Sequence, residues 1–136
     1  MKIAGIKIGF GKDGGEESTV WGWFVEAKRL ATVALLRFED GSREAYHSHA
    51  FDCVSVLLEG ELHEHHLFGG VFVYRAPCVF VTRKNTFHKV VSVGRSYVAT
   101  VRGPWADEWL EWTEAQGFQV LTNGREAVRA LRGAAA

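Results

Sequence analysis

The chain has 136 residues, with 16 Lys and Arg against 16 Asp and Glu, and it is 47% hydrophobic. That is the length of one domain, large enough to bury a core without disulfide staples. Zero formal charge without a basic run argues against nucleic-acid binding through bulk charge, and the hydrophobic share argues against disorder.

The opening stretch, MKIAGIKIGFGKDGG, has no apolar core of signal-peptide length, and no apolar run in the chain is long enough to span a bilayer. A cytoplasmic protein without membrane contact is expected. GFGKDGG lacks the Gly-Lys-Ser/Thr ending of a phosphate-binding loop and reads as a flexible turn. Trp21, Trp23 and Phe24 read as core packing, although such aromatics are also enriched at dimer interfaces. Residues 28–38 are rich in strand formers and stop at the turn Glu39-Asp40-Gly41-Ser42. Residues 42–49 alternate, with Arg43, Ala45, His47 and His49 on one face and Glu44, Tyr46 and Ser48 on the other.

Residues 53–58 form a buried-strand run closed by Glu59-Gly60, and 61–67 form the next. If Leu62 faces inward, so do Glu64 and His66, which leaves His63 and His65 on a solvated exterior. Residues 71–74 and 78–82 are further strands around Pro77, and 86–93 with 96–102 read as a hairpin over Gly94-Arg95. Trp105, Trp109 and Trp112 follow at helical or irregular spacing. Residues 118–121 return as a strand, and 125–132 read as a short helix. Many short strands with regular turns predict an all-β barrel or sandwich. Cys53 and Cys78 both sit in apolar runs and are expected to stay reduced.

Chemistry concentrates on the histidines. His47 and His49, two apart on a strand, would lie about 6.5–7 Å apart at the backbone on one face. Both can then reach one ion with bonds of about 2.0–2.1 Å. A third ligand must come from another strand, and His88 in NTFHKVV is the candidate. An inward Glu64 could act as a general base, orient a ligand, or pair with an inward arginine such as Arg43. Arg43 could itself hold a carboxylate or phosphate with two hydrogen bonds. Arg102 is a further cation near the barrel, and Arg83 and Lys84 are expected at the surface.

The spacing of Gly41, His47, His49, Cys53 and Gly60 resembles the first motif of the cupin superfamily, which has Gly, His-x-His, Glu and a closing Gly at these intervals. Asn85-Thr86-Phe87-His88 resembles the second motif, which supplies the last histidine. The resemblance covers about residues 30–103. Arg83 and Asn85 replace the usual Pro and Gly, Ser92 replaces the later Asn, and Cys53 replaces the Glu. The chain is also similar to small single-domain cupin-like proteins of bacteria and phages. It shares with them the His-x-His strand, Gly60-Glu61-Leu62-His63-Glu64, and the Gly103, Pro104 and Trp109 ending.

The resemblance implies a single domain over 1–136, a double-stranded β-helix (jelly-roll) barrel with a core at about 30–103. A C-terminal extension over 105–136 would end in the short helix. It implies one divalent transition metal on His47, His49 and His88, iron or zinc ahead of nickel or manganese. Cys53 is either a fourth ligand suited to zinc or a buried thiol that leaves positions open for substrate or O₂, as in three-histidine thiol-dioxygenase cupins. A degenerate site without metal is the remaining case. The expected function is a three-histidine oxygenase or related enzyme acting on a small anionic or thiol substrate, with Glu64 and Arg43 contacting it. The alternatives are a non-catalytic barrel holding a small nucleotide-like ligand and a scaffold that uses only the shape. A homodimer through exterior strands is expected.

Overall fold

A computed structural model describes residues 1–14, 18–27, 29–42, 45–122 and 127–131, with the backbone alone at 42 and 127–131. Among the described residues all regular structure is β. Strands β1 (Lys2–Ile3), β2 (Ile6–Lys12), β3 (Val20–Ala27) and β4 (Ala31–Phe38) come first. Two short strands follow, β5 (Gly41–Ser42) and β6 (Tyr46–His47), and then the long β7 (Cys53–His66). Next come β8 (Val71–Arg75), β9 (Cys78–Thr82) and the long β10 (His88–Arg102). The chain closes with β11 (Glu108–Thr113), β12 (Gly117–Thr122) and β13 (Ala127–Leu131). Among the described residues no helix is long and apolar enough to cross a membrane.

The architecture turns on β7 and β10, which pair antiparallel over nearly their whole length. Their Cys53–Leu57 and Ser96–Arg102 halves lie in one layer, β2-β3-β4-β10-β7-β9. Their other halves lie in a second layer, where β8 pairs with β7, while β5 and β6 pair with β10 and lead on to β11, β12 and β13. The bend between the layers is a double bulge. Between the pairs Val93↔Glu61 and Tyr97↔Glu59, β10 has two extra residues, and one step further β7 has one. That single extra residue reverses the parity of β7, so its inward positions are odd before the bend (Cys53, Ser55, Leu57) and even after it (Leu62, Glu64). Gly60 permits the crossing. Its φ is +100°, and a Cβ there would lie 2.8 Å from the Cα of fully buried Ser96. Ser96 stitches the corner by accepting from the Glu61 amide at 3.2 Å and bonding Ser92 Oγ at 2.8 Å.

Several sequence expectations change here. Residues 53–58 and 61–67 belong to one strand, and 86–93 with 96–102 are one bulged strand instead of a hairpin. Glycine marks a bend as readily as a reversal, and only the partner strand decides between them. Gly9 to Lys12 of the supposed flexible turn lie inside β2, so the sheet begins well before residue 28. The Trp109–Trp112 segment is strand β11. The expected C-terminal helix is also corrected, because 127–131 pair with β12 as β13. An eight-residue helix is marginal alone, whereas the β12 edge satisfies the backbone directly.

One buried cluster, Val20, Ala34, Leu36, Leu57, Leu62 and Val98, fills the space between the layers. A second, Ala50, Phe51, Cys53, Trp109 and Leu121, anchors the C-terminal strands.

Candidate metal centre

His47, His88 and His66 form one cross-strand row, since His88 is the register partner of His47 on β6 and of His66 on β7. His49 lies beyond the end of β6, so its place is set by loop contacts instead of a ladder. The Ser48 amide donates to Leu110 O and Ser48 Oγ accepts from the Leu110 amide, both at 2.9 Å. The His49 amide donates to Lys84 O at 3.2 Å. Ser48, which alternation turns away from the site, is thus a positioning residue that the strand reading missed. Strand β11 also pairs with β6 at Glu111↔His47, so the C-terminal extension supports the site.

The rings of His47, His49 and His88 form a near-equilateral triangle, with centroids 4.9, 5.0 and 4.8 Å apart. One ligand nitrogen from each lies within 4.8 Å of the others, and the Nε2 atoms of His49 and His88 approach to 2.6 Å. Small ring rotations bring such a set onto one ion at about 2.0–2.1 Å. The His47 Nδ1–H donates to Ala45 O at 3.3 Å, which leaves Nε2 as its ligand atom. An all-imidazole set suits zinc, iron, nickel or copper better than the oxygen-seeking calcium or magnesium.

Glu64 stands behind His88. Its Oε2 accepts from His88 Nδ1 at 2.7 Å, and its Oε1 accepts from His66 Nε2 at 2.8 Å and Tyr74 OH at 3.3 Å. His88 is 2% exposed and Glu64 6%. Burial pushes the Glu64 carboxyl up, but the hydrogen bonds and positive potential of His88 and His66 outweigh it and hold the group below its ordinary value. Burial and then the facing Glu64 carboxylate push the Tyr74 hydroxyl up to about 12, so it remains a donor. Binding His88 through Nδ1 directs its Nε2 at the other two rings.

The triad opens on a cavity with apolar walls that include Leu36, Leu62, Phe80 and Val98. Cys53 lies in the same wall but packs with Phe51 and Trp109, and its sulfur does not join the three-histidine group. Both cysteines are free thiols. Arg43 lies outside the described residues. Arg83 and Lys84 are exposed, as expected, while Arg102 is buried in the cavity wall. His63 and His65 fall on the outward parity of β7, where His63 meets Glu61 at 3.3 Å. His66 was legible as inward, but its sharing of Glu64 with His88 was not.

No family model matches the chain, and no curated protein matches it. Solved structures do. An RmlC-like cupin from Shewanella frigidimarina superposes with a TM-score of 0.56 at 20% identity, covering 72% of this chain and 85% of that one. KdgF from a Halomonas species gives 0.56 at 16% identity, covering 73% and 90%. A sugar phosphate isomerase of the cupin superfamily from Silicibacter pomeroyi gives 0.53 at 14% identity, covering 82% of each chain. At these identities the likeness establishes the fold. The chain has the cupin fold, a double-stranded β-helix, with a three-histidine group that can bind a metal.

Proposed function

We propose that this protein binds one divalent transition metal through His47, His49 and His88 and presents it to a small molecule in the barrel. The observation that carries this reading is the convergence of three imidazoles from separate segments, with His88 locked by Glu64 so that its Nε2 faces the other two. Iron or zinc fits the set best, and such an ion supplies Lewis-acid or redox chemistry to a ligand in the cavity. Glu64 has three donors on its two oxygens, so its role is to orient His88 and keep that ring in one tautomer. It is poorly placed to take a proton from a substrate. Any catalysis therefore depends on the ion and on how the cavity positions the ligand. This favours a three-histidine oxygenase acting on a small acid or thiol over a general-base hydrolase. Arg43 remains a candidate substrate contact by its parity with the histidines, and Cys53 is a wall residue in this reading.

Elemental analysis of tag-free protein tests the site. About one ion per chain is expected for the wild type, against background levels for a His47→Ala/His49→Ala variant. Equal content in both removes the proposal. Oxygen uptake by iron-loaded protein with small thiols and acids separates the enzyme from the alternative, a barrel that retains a small ligand unchanged. Two free thiols fit a reducing compartment, and a cytoplasmic location belongs to the same reading.

We further infer a homodimer through the outer face of the first layer. Ile8, Val25, Val33, Val101, Val54 and Val81 are successive register partners across six strands, each between 45% and 57% exposed. The adjacent row adds Phe10, Trp23, Leu35 and Val79, all exposed, and neither row contains a charge. The area is on the order of 800 Å², what one partner gives to a standard interface and more than a monomer usually leaves uncovered. A second copy offers the same flat apolar sheet, and two such sheets pack face to face. Sedimentation velocity should show a dimer that Val33→Glu/Val101→Glu converts to a folded monomer. A wild-type monomer at micromolar concentration, or binding of that face to lipid vesicles instead, overturns the inference.

A further inference from the structure

A second charged feature lines the cavity away from the histidines. Arg102, the last residue of β10, points inward and is 7% exposed. It engages one carboxylate with both arms of its fork, Nη2 to Asp13 Oδ2 at 2.6 Å and Nη1 to Oδ1 at 3.2 Å. Asp13 comes from the end of the β2 hairpin arm, 89 residues away in sequence, and its side chain is 37% exposed. The guanidinium also lies over the Phe51 ring at 4.7 Å, and Phe51 meets His49 edge-on at 5.2 Å. These successive contacts place the guanidinium no more than about 10 Å from the His49 ring. Ser55, Thr82 and Thr100 add hydroxyls to the wall of the same cavity.

A permanent cation in an apolar cavity needs an anion, and a guanidinium fork matches a carboxylate. Here the anion is supplied by the chain itself, from a side chain that reaches both the cavity and solvent. We propose that Arg102 is a carboxylate subsite of the cavity and that Asp13 is its resident occupant, displaced when a small carboxylic acid enters. The exchange makes and breaks no covalent bond and leaves the net charge at the guanidinium unchanged. The distance to His49 sets the ligand class: a short acid whose carboxylate sits on Arg102 while its other end faces the triad. This deepens the proposed function, because it names the chemistry of the molecule that the cavity holds.

The test uses metal-free full-length protein, so that chelation by the probe plays no part, and isothermal titration with succinate. Asp13→Asn keeps the side chain's size and removes the internal competitor, so succinate should bind at least about tenfold more tightly than to the wild type. Arg102→Gln should abolish binding, and neutral succinamide should show no gain with Asp13→Asn. A variant that merely misfolded could not bind more tightly, so the Asp13→Asn result stands even if Arg102→Gln fails to fold. If Asp13→Asn lowers the melting temperature and leaves succinate affinity unchanged, the pair is only a clamp and the proposal is overturned. Loss of the metal site with succinate tightening intact would remove the metal reading alone, and the reverse outcome would remove the subsite alone.

Discussion

Beyond Gly60 and Gly94, the inward positions of β7 and β10 hold Leu62, Glu64, His88 and Ser92, whereas before the bend they hold Cys53, Ser55, Leu57, Val98, Thr100 and Arg102. The two halves share one antiparallel ladder, yet one is lined by Glu64 and its imidazole partners and the other by hydroxyls and aliphatic groups that end at the Arg102–Asp13 ion pair. Their outer faces differ as well. The half before the bend carries the uncharged valine row, while the half beyond it carries Glu61, His63 and His65. One pair of strands thus builds a site inside one layer and an apolar interface on the outside of the other. The bulge makes the division, because it resets which residues face inward.

The largest expected effect comes from removing that bend. Gly60→Val would place side-chain atoms into Ser96 at a left-handed φ, and it should cost about 4 kcal/mol or more of stability, measured by urea unfolding. Both halves should then lose their interiors together. A variant of wild-type stability would show that the corner is not set by Gly60. A smaller effect sharpens the chemical half alone. Glu64→Gln keeps the shape but weakens the acceptor facing His88, and zinc affinity should fall about 10–100-fold, read by competition with a chromophoric chelator. The smallest effect concerns the other half. Cys53→Ala should leave zinc affinity within about threefold and lower stability by roughly 1 kcal/mol, as loss of a buried sulfur would. A thiolate-to-cobalt absorption band in the cobalt-loaded wild type, lost in Cys53→Ala, would instead make Cys53 a ligand.

Local pattern made some of this visible. The alternation of Leu62, Glu64 and His66 places their side chains on one face, and the structure buries Leu62 and Glu64 as that pattern requires. The His-x-His pair and the downstream His88 come together as their spacing suggests, although His49 owes its place to Ser48 and Lys84 and not to a strand. Other features depend on partners that a window of sequence does not contain. Glycine at 94 is compatible with a hairpin or a bulge, and the long β7 partner selects the bulge. The segment at 127–131 has helical spacing, and the exposed edge of β12 turns it into a strand. Arg102 looked like one of several cations near the barrel until Asp13 and Phe51 were brought to it from distant parts of the chain.

Apart from the jelly-roll barrel, which the cupin resemblance implied, the sequence by itself determined the all-β character and the identity of three imidazoles able to share an ion. Those properties follow from short-range alternation, turn residues and donor chemistry, which are local. Only the tertiary structure decided that β7 and β10 run unbroken through both layers, that Glu64 accepts from His88 and His66, that Cys53 packs with Phe51 and Trp109, and that Arg102 faces the same cavity. Each of these depends on a contact between residues far apart in the chain, and closure of the sheet, more than any local preference, brings such residues within bonding distance.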